Sequence, residues 1–208
     1  MEKNDMEVLA EAEYFNKLAD KWDEIREVDD VKLSELVQLL HLKQDDEVLD
    51  IGSGTGVLLP YLAPLVKTVT AVDFAAHMLA KAQEKCARFS NIFFSVSDVL
   101  AYEPERTFDK ITCLNFYPHI RDKRLFVERT DLLLAANGEI TIMHDLSRQQ
   151  VNDIHGSSAE IADDRLREAA AEAEIFQANG FSVKRIIEND SCYFLQLRKN
   201  RKQAYQKS

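Results

Sequence analysis

The feature that most constrains the fold is a glycine-rich loop that follows a short apolar segment. Residues 47–51 are mostly apolar and β-favouring, and Gly52, Gly54 and Gly56 alternate immediately after them. This pattern predicts a buried strand that runs into a tight turn. Glycines let such a turn adopt positive φ angles and bring its N–H groups close to a ligand. We therefore expect a strand–loop–helix unit that binds a ligand.

Strand and helix patterns alternate after this loop. Further strands are predicted at 68–73, 92–96, 108–114, 139–143, 181–187 and 192–197. Helices are predicted at 57–65, 75–88, 121–134 and 164–179. The alternation indicates a parallel sheet covered on both faces, and the short connection after 187 makes the last two strands antiparallel. The predicted fold is α/β, with a doubly wound, mostly parallel seven-stranded sheet and an antiparallel last strand.

The flanking segments suggest three parts: an N-terminal helical lid at 1–30, a main domain at 31–198 and a basic flexible tail at 199–208. Residues 6–28 and 31–42 have helical periodicity, and Asn137-Gly138 and Asn179-Gly180 are typical helix ends. The polar stretch 147–163 is predicted to be an irregular loop that orders over the ligand pocket. His41 and His77 are predicted to lie on helices away from it.

Composition excludes several classes of protein. The net charge of −10 disfavours a general nucleic-acid binder, which needs a basic face. Three well-separated cysteines suggest neither a disulfide framework nor a zinc ribbon. The acidic N-terminus does not resemble a signal peptide, and no apolar run is long enough to span a membrane. We therefore expect a cytoplasmic protein. The basic residues near the C-terminus are interpreted as a solvated tail; they are Arg198, Lys199, Arg201, Lys202 and Lys207.

Polar side chains follow the predicted strands where each one ends. Asp73 closes the second strand, at a distance from the glycine loop typical of an acid that binds a ribose. Asp98 follows the third strand, and Asn115 follows the fourth. Because parallel strands meet at one carboxyl edge, we expect these groups to face one ligand.

Residues 48–56 resemble the glycine motif of class I S-adenosylmethionine-dependent methyltransferases, with the ubiquinone and menaquinone type closest in pattern. The order of elements resembles that family over about 30–198. The resemblance implies that Gly52, Gly54 and Gly56 line the methionine part of the cofactor, with Ser53 beside them. It also implies S-adenosyl-L-methionine as the cofactor.

The same resemblance assigns the other groups of the rim. Asp50 would reach the amino group of the cofactor through the loop or a water, and Asp73, with Phe74 next to it, would bind the ribose. Asp98 would bond the adenine amine with Val99 beside it, and Asn115 and Phe116 would flank the sulfonium. Aromatic and acidic residues would form the lid and the substrate wall; they are Tyr14, Phe15, Trp22, Asp23 and Tyr117.

A nicotinamide dehydrogenase is the main competitor for the glycine loop. Its fingerprint places glycine at the first, third and sixth positions. Counted from Gly52 the sixth position is Val57, and counted from Gly54 it is Leu59, so the third glycine is missing. No Gly-Lys-Ser/Thr follows, so nucleoside triphosphate hydrolysis has no support either.

Three histidines are candidates for a general base toward a thiol, phenol or hydroxyl: His119, His144 and His155. His119 and His144 follow predicted strands, and Asn152 and His155 would share one face of a helix. Each histidine could instead bond only to loop backbone. No metal is predicted, and a site made of His144, Asp145 and His155 is the less favoured alternative.

The favoured function is methyl transfer to a small molecule, with the attacking atom open among O, S, N and C. One alternative is a cofactor-binding module or regulatory partner without turnover. Another is a methyltransferase acting on protein or RNA. Asn115-Phe116-Tyr117-Pro118 departs from the Asn/Asp-Pro-Pro-Tyr/Phe signature of enzymes that methylate adenine or amide nitrogen, which disfavours such substrates. Monomer and homodimer are both compatible with the sequence.

Overall fold

A computed structural model describes residues 3–26, 28–157, 161 and 164–200. The predicted tail residues Arg201, Lys202 and Lys207 lie outside these ranges. The helices are α1 (Lys3–Leu18), α2 (Trp22–Ile25), α3 (Asp30–Leu39), α4 (Leu59–Leu62), α5 (Ala76–Lys85), α6 (Lys123–Leu133), α7 (Arg148–Gly156) and α8 (Ala169–Ala178). The strands are β1 (Glu47–Ile51), β2 (Thr68–Asp73), β3 (Ile92–Val96), β4 (Phe108–Leu114), β5 (Leu134–His144), β6 (Phe181–Glu188) and β7 (Tyr193–Lys199). No helix in the described ranges is both long and apolar enough to cross a bilayer.

The seven strands form one sheet in the order β3-β2-β1-β4-β5-β7-β6. Strands β1 to β5 pair in parallel, and β7 is antiparallel to both β5 and β6. The predicted mostly parallel, seven-stranded sheet with an antiparallel last strand is confirmed. β1 lies between β2 and β4, so the strand order reverses at its carboxyl end, where open sheets of this type bind ligands.

The sheet is covered on both faces because its central strands are apolar on both sides. Val48 and Leu49 of β1 are both fully buried, although they point to opposite faces. One hydrophobic cluster joins the sheet to α6 and α8, and the other joins it to α3, α4 and α5. The edge that carries the glycine loop is thereby held by two packed layers.

Several boundaries differ from the prediction. The single helix predicted at 6–28 is divided into α1 and α2 by a 3-10 turn at Ala19–Lys21. Asn137-Gly138 does not simply end a helix: β5 already begins at Leu134, and its register with β4 shifts across this pair. His41 is not on a helix, since it follows α3 with a φ of 49°.

The predicted irregular loop at 147–163 is also wrong over most of its length. Arg148–Gly156 forms α7, which begins with a capping box. The Ser147 hydroxyl accepts a hydrogen bond from the Gln150 N–H, and the Gln150 side chain accepts one from the Ser147 N–H. This arrangement satisfies donors that a helix start would otherwise leave unpaired. Residues 158–160 and 162–163 lie outside the described ranges.

Candidate active site

The glycine loop extends from the carboxyl end of β1, and its shape depends on its glycines. Gly52, Gly54 and Gly56 all have positive φ angles, of 66°, 53° and 76°. A Cβ at Gly52 would lie 2.2 Å from the ring of Phe116, so that position lacks space for any side chain. No atom of the described residues lies within 4 Å of a Cβ built at Gly54. The loop therefore has an open space beside Gly54.

Asp73 ends β2 and holds the glycine loop in place. Its side chain is buried, and its two oxygens accept hydrogen bonds from the N–H groups of Gly54 and Ala75, both at 2.8 Å. Burial raises the pKa of Asp73, although these N–H groups act in the opposite direction. A carboxylate is thus fixed at the wall of the cavity beside the loop.

Asp50 is the penultimate residue of β1 and is more deeply buried than Asp73. Its side chain is 2% exposed, and one oxygen accepts a hydrogen bond from the Thr112 hydroxyl at 2.7 Å. Burial raises the pKa of Asp50 to about 7; hydrogen bonds from Thr112 and Ser53 oppose this rise, and the nearby Asp73 charge adds to it. A cationic ligand would favour the ionised carboxylate.

These groups line a cavity of about 1160 Å³, counted with its open mouth. Most of the residues predicted to hold the cofactor are in its wall: Asp50, Gly52, Ser53, Gly54, Asp73, Phe74, Asn115 and Phe116. Gly56 is not, because it packs against Ala82 of α5, where a Cβ would approach to 2.8 Å.

Asp98 and Val99 lie outside the cavity wall as the structure describes it. The Asp98 carboxylate accepts a hydrogen bond from the N–H of Leu100 at 2.9 Å, which turns the chain after β3. Val99 is 4% exposed and belongs to the hydrophobic core. Their assignment to the adenine stays a prediction.

The N-terminal segment packs over the mouth of the cavity. Tyr14, Phe15 and Trp22 line it, and the Phe15 ring makes edge contacts with Trp22 at 5.6 Å and with Phe74 at 6.0 Å. The backbone N–H of His77 also donates to the Asn16 side chain, which ties α5 to α1. Aromatic side chains of the N-terminal segment thus form part of the wall of the cavity that the glycine loop also lines.

The predicted substrate residue Tyr117 does not belong to this wall. It is fully buried, and its hydroxyl donates to Glu172 at 2.8 Å within the core. The 3-10 turn Tyr117–His119 directs Tyr117 inward, while His119 lines the cavity.

The three predicted histidines line the same cavity as the glycine loop. The rings of His119 and His155 are 5.0 Å apart, and both line the cavity together with His144. His155 Nδ1 lies 2.6 Å from the backbone oxygen of Asp164. Because a carbonyl oxygen can only accept, this nitrogen carries the proton and Nε2 is the acceptor. Burial lowers the pKa of His155, so its neutral form is favoured.

His144 is the most buried of the three. It is 1% exposed, and its Nε2 has no hydrogen-bond partner among the described residues. Burial, together with the neighbouring histidines, lowers the pKa of His144 to about 3. It is therefore neutral at pH 7 and offers a hydrogen-bonding nitrogen to the cavity, but it binds a proton weakly.

Asn115 lines the cavity and has a left-handed conformation, with a φ of 54°. Its side-chain nitrogen donates to Asp145 at 2.8 Å, and its side-chain oxygen is buried without a partner in the described part of the chain. Asp145 also lies 3.8 Å from Arg26. Asp145 thus contacts Asn115 and Arg26. The less favoured metal set of His144, Asp145 and His155 is not among the groups of described residues whose ligand atoms converge.

A different group of potential metal ligands does converge: Glu11, His119 and Asp164. Glu11 and Asp164 were missed by the sequence analysis, since nothing local marks either residue. Arg26, Thr55 and Ile161 were also missed, although all three line the cavity. The Ser147–Gln150 capping box would have predicted α7, which brings His155 to the site.

Comparison with known proteins supports the resemblance noted in the glycine motif. Residues 48–138 match a family model described as a methyltransferase domain. The demethylmenaquinone methyltransferase of Tropheryma whipplei (strain Twist) is 30% identical over 105 residues, which cover 50% of this chain and 44% of that protein. The ubiquinone biosynthesis O-methyltransferase of Paracidovorax citrulli is 29% identical over 140 residues, covering 62% and 58%. The chain spans about half the length of these curated relatives.

Solved structures share the fold over nearly the whole chain. A complex of DhpI with SAH has a TM-score of 0.75 at 21% identity, and the match covers 94% of this chain and 98% of that chain. The N-methyltransferase NodS of Bradyrhizobium japonicum WM9, solved with S-adenosyl-L-homocysteine (SAH), has a TM-score of 0.69 at 18% identity, covering 92% and 98%. At these low sequence identities, the similarity to the solved structures is evidence for a shared fold alone.

The sheet, the loop and the matched segment together define a Rossmann-like methyltransferase domain. The matched segment begins in β1 and ends in β5, so it includes the glycine loop, Asp73 and Asn115. In its glycine loop, its matched segment and its sheet the chain resembles class I S-adenosylmethionine-dependent methyltransferases.

Proposed function

We propose that this protein transfers a methyl group from S-adenosylmethionine to a small-molecule acceptor. One observation carries the proposal: a single cavity is lined both by the glycine loop with Asp50 and Asp73, which we call the donor side, and by three histidines, which we call the acceptor side. A donor and an acceptor would therefore share one cavity.

The donor side fits a cationic nucleoside that carries an amino group and two ribose hydroxyls. The open space beside Gly54 allows a ligand to approach the loop backbone closely. We assign the ribose to Asp73, and the buried carboxylate of Asp50 would complement an ammonium group directly or through a water. The unpartnered oxygen of Asn115 and the ring of Phe116 are suited to a sulfonium. We also propose that Asp98 and Val99 contact the adenine.

When bound, S-adenosylmethionine supplies an electrophilic methyl group for in-line displacement by a nucleophile. The residues of the chain align the two reactants and exclude water. Phe15, Trp22 and Phe74 are suited to the second task because they form an apolar cover over the cavity.

His155 is the histidine best suited to take a proton from the acceptor. Its Nδ1 is held by the Asp164 carbonyl, so Nε2 is the free acceptor, and the neutral form is favoured. His144 is better suited to orient the acceptor by a hydrogen bond, since its pKa of about 3 makes it a weak base. His119 adjoins both the cover and His155.

A small acceptor is favoured over a macromolecule by the enclosure of the acceptor side and by the net charge of −10. The two curated relatives are named for menaquinone and ubiquinone chemistry, which supports a small-molecule class. We propose that the protein acts without nucleic acid, as a monomer or homodimer in the cytoplasm. The proposed domain division is a lid at 1–30, a methyltransferase domain at 31–198 and a basic tail at 199–208.

The test has two parts. Calorimetry with S-adenosylhomocysteine should show one site per chain, and Asp73→Asn should weaken the affinity about tenfold or more. Asp109→Asn is the matched control, because Asp109 also accepts a backbone N–H bond, from Glu47, but does not line the cavity. Absence of binding by the unaltered protein would overturn the proposal.

The second part measures methyl uptake from labelled S-adenosylmethionine by a panel of thiols, phenols, quinols and small acids. Uptake by at least one of these classes is expected. Binding of S-adenosylhomocysteine without uptake by any of them would contradict the enzymatic proposal and favour a cofactor-binding module.

A further inference from the structure

Three side chains from distant parts of the sequence meet at the acceptor side of the cavity. Glu11 comes from α1, His119 from the turn after β4, and Asp164 from the segment after α7. We call them the Glu11–His119–Asp164 cluster. His119 Nδ1 lies 2.7 Å from Asp164 Oδ2 and 3.5 Å from Glu11 Oε1. All three ligand atoms lie within 4.8 Å of one another.

These distances suit three ligands of one metal ion. Two nitrogen or oxygen ligands about 2.1 Å from an ion, at angles of about 90° to 110°, lie roughly 3.0–3.4 Å apart. The two distances from His119 lie on either side of that range. A metal ion would replace the proton that His119 Nδ1 shares with Asp164 and would draw the three ligand atoms, now within 4.8 Å of one another, around itself. The side chains of His119, Glu11 and Asp164 are 9%, 14% and 15% exposed, so they are largely shielded from bulk water.

The charges of the cluster point to a cation. Two carboxylates converge on one imidazole, and Glu11 Oε1 is buried without a hydrogen-bond partner among the described residues. Arg121, the cation next to Glu11, lies 3.9 Å from its other oxygen and is itself 48% exposed. A buried carboxylate oxygen that has an imidazole nitrogen 3.5 Å away but no hydrogen bond among the described residues is incompletely compensated, and a bound ion would satisfy it.

We propose that the Glu11–His119–Asp164 cluster binds a divalent transition-metal ion such as Mn²⁺ or Zn²⁺. One imidazole with two carboxylates suits these ions, and three protein ligands leave coordination positions open. His119 lines the cavity, so an open position would face the acceptor side. That an acceptor oxygen occupies it rests on the proposed function, whereas metal binding itself does not.

The site would also join α1 to the chain that follows α7. Glu11 would connect the N-terminal cover to the ion, and Asp164 also fixes His155 through its backbone oxygen. Metal binding would therefore hold the cover and the proposed base around the same point.

The test is Mn²⁺ titration of the full chain, after dialysis against a chelator, followed by electron paramagnetic resonance of the free ion. One Mn²⁺ per chain is expected, and Zn²⁺ should displace it. Glu11→Gln and Asp164→Asn should each weaken binding at least tenfold. Glu13→Gln is the control, because Glu13 lies on the same helix but is exposed.

Absence of stoichiometric binding by the unaltered chain would overturn the metal site, and so would binding that both ligand variants leave unchanged. Circular dichroism of each variant separates loss of a ligand from loss of the fold. Binding of S-adenosylhomocysteine is measured in parallel. Metal binding without S-adenosylhomocysteine binding would support the site and contradict the proposed function, while the reverse result would overturn the metal site alone.

Discussion

Asp23 of α2 accepts a hydrogen bond from the hydroxyl of Thr55 in the glycine loop. The other oxygen of the same carboxylate is 2.6 Å from Lys85 Nζ at the end of α5. One side chain thus joins the N-terminal segment to the loop and to the helix behind it. Asp23 also lines the cavity, so this contact lies at its mouth.

Replacing Asp23 by alanine should shorten the residence time of S-adenosylhomocysteine. Loss of the Thr55 contact costs about 1 kcal/mol, so the dissociation constant should rise roughly fivefold. Stopped-flow dissociation measures the effect. Asp20→Ala is the control, since it removes the exposed Asp20–Lys81 ion pair on the same segment and should change the rate less than twofold. Equal effects of the two substitutions would contradict a role for the mouth contact.

Gly54 and Gly180 form a matched pair for testing the donor side. Both have positive φ angles, and neither has an atom of the described residues within 4 Å of a Cβ position. Alanine at either position should lower stability by a similar amount, about 1–2 kcal/mol, measured by urea unfolding. Gly54→Ala alone should abolish measurable S-adenosylhomocysteine binding, because its methyl group would fill the space for the cofactor. Normal binding by the Gly54→Ala variant would show that the cofactor does not occupy the space beside Gly54.

Cofactor affinity should depend on the ionisation of Asp50. Burial raises the pKa of Asp50 to about 7 in the free protein, and a cationic amino group favours the carboxylate form. Affinity for S-adenosylhomocysteine should therefore fall by up to about tenfold per pH unit below pH 7 and level off above it. Calorimetry in buffers of different ionisation enthalpy should detect proton release near pH 7. Asp50→Asn should remove both effects, and an unchanged pH profile in that variant would exclude Asp50 as their source.

Glu139 should make the protein sensitive to acid. It is 4% exposed in β5 and lies 2.6–2.8 Å from Lys110 of β4, Lys184 of β6 and Arg198 of β7. Burial raises the pKa of Glu139, but these cations lower it further, to about 2 from an ordinary value of 4.5. Because folding lowers this pKa, the ionised Glu139 stabilises the folded protein above pH 4.5. This contribution is lost as the pH falls toward 2.

The corresponding contribution to the free energy of unfolding is about 3 kcal/mol at neutral pH. Urea unfolding at several pH values should show Glu139→Gln destabilised at pH 7 by at least this order. The difference from the unaltered chain should shrink between pH 4.5 and pH 2. A difference that stays constant over this range would show that ion pairing is not its cause.

Replacing His155 by alanine should reduce turnover rather than cofactor binding. Loss of a general base costs about 100-fold or more in kcat, while the affinity for S-adenosylhomocysteine should stay within about threefold. His77→Ala is the control, since His77 is exposed on α5 and does not line the cavity. Equal losses of turnover and affinity would assign His155 to cofactor binding instead.

The sheet was predictable because its signals are local. Apolar segments such as 47–51 indicate buried strands, and the glycines after them adopt the positive φ angles expected of a tight turn. Polar composition suggested a loop at 147–163, whereas the capping box at Ser147 and Gln150 starts a helix there. In this segment the spacing of two residues was more informative than the average polarity.

The acceptor side was only partly predictable. The histidines were found because two of them follow strands, and parallel strands end at one edge. Glu11 and Asp164 carry no comparable signal, since they reach His119 only through the packing of α1 and of the chain after α7. Such a meeting depends on tertiary structure, and periodicity along the sequence does not encode it.

The hydrogen bonds of Asp73 also limit which nucleosides can bind beside it. A carboxylate offers about four acceptor positions, and the N–H groups of Gly54 and Ala75 occupy one on each oxygen. Acceptor capacity remains on this carboxylate for the two adjacent hydroxyls of a ribose. A deoxyribose would leave a buried lone pair unsatisfied, and a phosphorylated ribose would bring a negative charge against the carboxylate. The turn that shapes the loop would thereby also select an unmodified ribonucleoside.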